Sequence, residues 1–160
     1  MTTKELGLIG VTIVAVSLVV QNPVPIGGAN PSKCTAFPPH KIVSSPALRA
    51  RQTIEIVSEQ LGHSQVKVDF DDDLYLASLD TLIESVQLYK NDVNSLMLVA
   101  HNPGLDYLVN DLLSRPINTN SGHIVMTTAN LAIIEYKDSH FDPEKDKGSL
   151  IEFIQPKKLA

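Results

Sequence analysis

Two side chains capable of chemistry, Arg49 and His101, stand at equivalent points of two distant segments, Ser44-Ser45-Pro46-Ala47-Leu48-Arg49-Ala50-Arg51-Gln52-Thr53 and Leu98-Val99-Ala100-His101-Asn102-Pro103-Gly104. Each segment is an apolar run, then a short polar turn, then a helix start. Open α/β sheets place their sites at such junctions, so the two read as halves of one phosphate pocket. Arg49 falls in the first turn of its helix, where free backbone N–H groups and the positive end of the dipole already favour an anion. His101 brings a titratable ring to the second helix start. Arg51 lies two residues on, roughly 200° around the helix, and cannot point into the same pocket as Arg49.

Other polar residues are read more plainly. Asp69, Asp71, Asp72 and Asp73 lack the glycine turn and distal glutamate of a calcium loop and are taken as a solvated cluster at a strand end. His40, His63, His123 and His140 have no helical i, i+4 histidine partner and are taken as surface residues. Neither a metal nor a cofactor is expected. A net charge of −5 without any Lys/Arg run argues against a nucleic-acid surface, which must neutralise several phosphates together. Cys34 is the only cysteine, which excludes an intramolecular disulfide and a cysteine-built zinc site. It suits a reducing, cytoplasmic setting.

The elements that must position Arg49 and His101 follow from patterning. The 160 residues are expected to form one domain: an apolar stretch over 1–20, a Pro/Gly-rich loop over 21–40 holding five of the ten prolines, and a core over 41–160. Leu6 to Val20 is uncharged and almost wholly apolar. It is short for a membrane span, which needs about 20 residues, and a buried element is the leading reading over a signal or anchor. Lys41 to Val43 reads as a strand. Ser45 then caps a helix with Pro46 at its first position, running to about Leu61 with Ala50, Thr53, Ile54, Val57 and Leu61 on one face and Gly62 closing it. A strand is expected over Val66 to Phe70, followed by a helix capped by Ser78 that buries Leu79, Leu82, Ile83 and Val86. Leu96 to Ala100 is the continuous apolar run of a central parallel strand. Asn102-Pro103 repeats the cap-and-proline device before a helix burying Leu105, Leu108, Val109 and Leu112. Two last strands, Thr128 to Tyr136 and Ser149 to Ile154, complete a three-layer α/β/α fold with a mostly parallel central sheet.

The segments VSSPALRARQT (Val43 to Thr53), DLYLAS (Asp73 to Ser78), LVAHNPG (Leu98 to Gly104) and TTANLAIIEY (Thr127 to Tyr136) resemble, in order and spacing, the histidine phosphatase superfamily. The resemblance is nearest to its short phosphohistidine phosphatase branch and covers roughly Lys41 to Leu159. It implies the phosphoglycerate-mutase-like fold and a two-step phosphoryl transfer to water through a phosphohistidine intermediate. It assigns Arg49 as a pocket arginine and His101 as the second pocket histidine, binding the phosphoryl group and stabilising charge in the transition state. Asn102 adds a backbone or amide contact. Larger members carry a carboxylate general acid near the position of Leu76, and DLYLAS has none there.

One departure outweighs these matches. The family holds its nucleophile and first arginine in an Arg-His-Gly motif at the end of the first strand, and this chain contains no such tripeptide. Thr2 to Leu6 resembles the segment that follows the motif in relatives, so the first strand is expected to be missing or replaced. Leu6 to Val20 is then either the family's first helix or, given its many β-branched residues, a strand filling the vacant slot. Two functions follow. One is a phosphohistidine phosphatase-type chain lacking its start and therefore inactive. The other is a non-catalytic pseudophosphatase that binds a phosphorylated protein, such as a phosphohistidine phosphorelay domain, or a small phosphate. No nucleic acid or membrane partner is expected.

Overall fold

The computed structural model describes residues 11–17, 39, 41–60, 67–90, 95–114, 130–136 and 141–154, with the side chains of 11–17, 56–60 and 151 left aside. Its strands are β1 (Val11–Ser17), β2 (Lys41–Ser44), β3 (Lys67–Phe70), β4 (Ser95–Ala100), β5 (Leu131–Tyr136) and β6 (Ser149–Ile154); its helices are α1 (Leu48–Gln60), α2 (Leu79–Tyr89) and α3 (Gly104–Leu112). One sheet contains all six strands in the order β3-β2-β4-β1-β5-β6. β3, β2, β4 and β1 run parallel, and β5 and β6 add an antiparallel pair.

β1 settles the choice left open for the apolar N-terminal stretch. Val11–Ser17 is a strand, so the alternative of a first helix there is overturned. Its sequence VTIVAVS is rich in β-branched residues, whose stiff χ1 suits a pleated surface. It pairs with β4 on one side and β5 on the other. The central slot of the sheet is therefore occupied.

The connections fix the layers. β2 leads through α1 outward to β3, and β3 leads back through α2 to β4 on the far side of β2. Right-handed crossovers in opposite directions place α1 on one face and α2 on the other. Between β2 and β4 the chain thus changes direction, which creates a crevice at their C-terminal ends.

Alternation along β4 divides the core. Leu96, Leu98 and Ala100 join Val43, Leu82, Val86, Leu105, Leu108, Val109 and Leu112 in one buried cluster. Met97 and Val99 are equally buried but face the other way. Leu105, Leu108 and Leu112 have no exposed surface, and each contributes about 1.5–3 kcal/mol by leaving water. On α1, Ala50, Thr53 and Ile54 are buried as their spacing requires; Val57, Leu61 and Gly62 lie outside the described side chains.

α2 starts as its sequence indicates, with Ser78 Oγ accepting from the Thr81 amide at 3.3 Å. The other two helix starts differ from expectation. α1 begins at Leu48, with Pro46 outside it; the Ala47 carbonyl accepts the first helical amides, from Ala50 at 2.9 Å and Arg51 at 3.1 Å. α3 begins at Gly104 after Pro103 with no side-chain cap, so Asn102 does not serve as one. Gly104 is required there: a Cβ would run into the Ala77 carbonyl oxygen of the loop before α2.

Candidate functional site

The polypeptide leaves β2 and β4 side by side. Ser44 is in register with Val99, and the Ser45 amide donates to the Val99 carbonyl at 2.8 Å. Ser45 and His101 therefore emerge together at the crevice between the two strands. Arg49, in the first turn of α1, reaches back over the same edge.

There the two sequence-identified residues meet. Arg49 Nε donates to His101 Nδ1 at 3.3 Å, and Nη2 of the same guanidinium lies 3.1 Å from that nitrogen. An arginine is never an acceptor, so Nδ1 must be the bare nitrogen of the ring. Nε2 then carries the proton and donates to Ser45 Oγ at 2.7 Å. The hydrogen-bond pattern thus assigns a neutral Nε2–H imidazole, held at both nitrogens and 2% exposed. A guanidinium has five N–H donors; two face Nδ1, leaving three for an anion. The start of α1 adds its positive dipole end beside them.

Arg51 goes elsewhere. Its Nε donates to the Pro46 carbonyl at 2.9 Å and its guanidinium stacks over Phe70, 4.5 Å from the ring centroid. Asn102 is half-buried in the turn that follows His101 and joins Pro103 through a cis peptide.

Two residues of the site escaped the sequence reading. Ser45 was expected only to cap a helix, and its hydroxyl also accepts from His101 Nε2 at 2.7 Å. Tyr75, inside DLYLAS, sets its ring 5.5 Å from the His101 ring at 78° and lies 5.9 Å from Arg49 Cζ. Its neighbour Leu76 has φ of 51°, a left-handed conformation that a leucine rarely adopts. The only signal in the sequence was the short polar-to-apolar switch after three aspartates, which marks a loop but not where it is aimed.

The acidic cluster at the end of β3 is engaged in ion pairs and a turn. Asp69 pairs with Lys41 at 2.7 Å and with Lys67 at 3.7 Å, and the Lys41 ammonium hydrogen-bonded to it lowers its pKa. Asp71 Oδ1 accepts from the Asp73 amide at 3.0 Å, closing a 3-10 turn over Asp72–Leu74. Among the described residues no group of His, Cys, Asp and Glu is arranged to hold an ion. His40, His63, His123 and His140 lie outside the described residues. Among those described, no helix is long and apolar enough to cross a membrane.

No family model matches the chain. An uncharacterized protein of Mycobacterium leprae is 25% identical to it over 122 residues, which is 73% of this chain and 71% of the relative. Among solved structures, the protein histidine phosphatase SixA complexed with tungstate is similar with a TM-score of 0.66 and 21% identity, over 93% of this chain and 99% of that one. A protein of Agrobacterium tumefaciens assigned as the phosphohistidine phosphatase SixA gives a TM-score of 0.68 and 18% identity, over 92% and 99% of the two chains. The shared property is the fold: this chain has the α/β architecture of the histidine phosphatases, with its parallel sheet flanked by helices.

Proposed function

We propose that this chain is a phosphohistidine phosphatase-like member of the histidine phosphatase superfamily that binds a phosphoryl group through the remaining donors of Arg49, with His101 positioning that guanidinium, without hydrolysing it. The observation that carries this reading is the convergence of both side chains at the β2/β4 crevice, with three guanidinium donors left over and a helix dipole behind them. Asn102 stands next in the chain as a further contact.

Loss of turnover follows from the residues at the end of β1. The strand fills the central slot, with Ser17 abreast of Ala100 in the residue before His101. The three residues that follow Ser17 in sequence are Leu18, Val19 and Val20. In the family the resemblance points to, an arginine and the nucleophilic histidine occupy the end of this strand. None of those three side chains can attack phosphorus or hold an equatorial oxygen. Deleting the nucleophile from a covalent catalyst lowers turnover by several orders of magnitude. The ligand is accordingly a phosphorylated protein, a phosphohistidine-bearing relay domain included, or a small phosphate.

The test is a pair of measurements on the same preparation. Titration with inorganic phosphate or vanadate should saturate, and p-nitrophenyl phosphate should be hydrolysed no faster than in a buffer blank. Hydrolysis that disappears in His101→Ala would overturn the non-catalytic assignment, and failure of either anion to bind would overturn the pocket.

A further inference from the structure

We propose that Tyr75 is a specificity-determining wall of this pocket, selecting phosphoryl groups carried on a planar aromatic ring over those carried on a polyol chain. The inference rests on the phosphoryl-binding reading of Arg49 and His101 and adds to it the class of the group beyond the phosphoryl.

Tyr75 is the one described aromatic residue that meets both pocket side chains, edge-on to His101 and beneath the Arg49 guanidinium. It is nevertheless 51% exposed. A ring that served only to support the pair would be covered; half of this one remains open beside the anion site. A group attached to a phosphoryl held by Arg49 therefore emerges against an aromatic surface. Leu76, 61% exposed, extends that surface with further apolar area.

The loop that carries Tyr75 is built to hold it. The Asp71 amide donates to the Ser44 carbonyl at 2.9 Å, tying the loop to the end of β2, and the Leu74 amide returns to Asp71 at 3.1 Å. Leu74 is fully buried. On the other side of Tyr75, Ala77 is buried and its carbonyl lies against Gly104 of α3. Between these two anchors the backbone accepts a positive φ at Leu76. Strained residues of this kind persist only where their surroundings over-determine them, and they collect at ligand sites. The two anchors hold Tyr75 against the Arg49–His101 pair in spite of that cost.

The experiment compares three probes on the full chain: inorganic phosphate, phenyl phosphate and glycerol 3-phosphate. Phenyl phosphate should bind about 3- to 10-fold more tightly than glycerol 3-phosphate, the range expected of one aromatic pair. Tyr75→Ala should bring the ratio of the two ester affinities to about one, whereas Tyr75→Phe should keep the advantage. Inorganic phosphate is the internal control, since a merely disturbed pocket would lose all three ligands together. Equal affinity for the two esters in the wild-type chain, or an advantage that survives Tyr75→Ala, overturns the role of Tyr75 while the pocket stands. If inorganic phosphate itself does not bind, or binds Arg49→Ala equally well, the pocket reading fails and takes this inference with it.

Discussion

Arg49 and His101, 52 residues apart in sequence, share a hydrogen bond in which the guanidinium donates to the imidazole Nδ1. A cation that donates to a neutral ring keeps its charge available, unlike one committed to a carboxylate. The pocket therefore stays electropositive although both members are partnered.

Arg49→Ala should weaken phosphate or vanadate binding by about 10-fold or more, the loss of a charge-assisted contact being worth roughly 1.5–3 kcal/mol. Arg51→Ala should change it by less than twofold, because Arg51 is occupied by the Pro46 carbonyl and Phe70. Isothermal titration of the two variants decides the matter. Equal losses would mean that the two arginines act as a diffuse positive field.

Ser45→Ala removes the hydrogen bond between its hydroxyl and the buried His101 Nε2 at 2.7 Å. The cost should be about 0.5–1.5 kcal/mol in a denaturant titration, the net worth of one such bond. Nitrogen chemical shifts of His101 should show the Nε2–H tautomer in both chains, because Arg49 still donates to Nδ1 in the variant.

Periodicity and punctuation made much of this architecture legible. The all-buried run Leu96 to Ala100, the Ser78 cap and the stripe Leu105, Leu108, Val109, Leu112 each obey one local rule, and the structure follows each. Arg49 and His101 were legible for a related reason, since a strand-to-helix junction can be recognised locally and parallel strands end on the same side. What stayed hidden depended on contacts distant in sequence. Leu6 to Val20 carries no polar alternation, so its pattern does not separate a buried strand from a buried helix, and only pairing with β4 and β5 decides. Ser45 satisfied the rule for an N-cap, yet a histidine 56 residues away competes for its hydroxyl. Tyr75 was marked only as part of the loop segment DLYLAS, because an aromatic residue in a loop is aimed by the anchors on either side of it.

Gly104→Ala should destabilise the chain by about 1–3 kcal/mol or more, the range for overpacking a tight contact. The obstacle is the backbone carbonyl of Ala77, with Leu82 Cδ1 at 3.1 Å as a second, so no side-chain rotation relieves it. A lowered urea midpoint at unchanged m-value would show this. An unchanged midpoint would mean that the loop carrying Tyr75 can retreat from α3.

Acid should loosen the β2–β3 edge of the sheet and the turn around Asp142 that precedes β6. The Asp69 carboxyl titrates below its usual range because Lys41 hydrogen-bonds it, and Asp142 does so because of Lys145, the Glu144 amide and Gln87. A carboxylate whose folded pKa is depressed adds stability that is present above the unfolded value, about 4, and is lost as pH falls through the folded one. Stability should therefore decline below about pH 4. Asp69→Asn should flatten that decline in thermal melts between pH 6 and pH 3, at a modest cost at neutral pH because the pair is partly exposed.

Leu76→Gly should hold or raise stability, by up to about 1 kcal/mol, although it deletes a large side chain. A left-handed conformation costs an L-residue roughly 1–2 kcal/mol, and glycine removes that cost while adding about 0.5–1 kcal/mol of unfolded-state entropy. With 61% of Leu76 already exposed, little burial is lost. Leu76→Val tests the same account from the other direction: a β-branched residue is still less suited to φ of 51° and should lower the melting temperature. If glycine instead destabilises by more than about 1 kcal/mol, the side chain and not the backbone is what the loop needs at this position. Relief of strain should also free the loop between its anchors at Leu74 and Ala77. A more stable Leu76→Gly chain is accordingly expected to lose part of the preference for phenyl phosphate over glycerol 3-phosphate, since Tyr75 would no longer be pinned above Arg49 and His101.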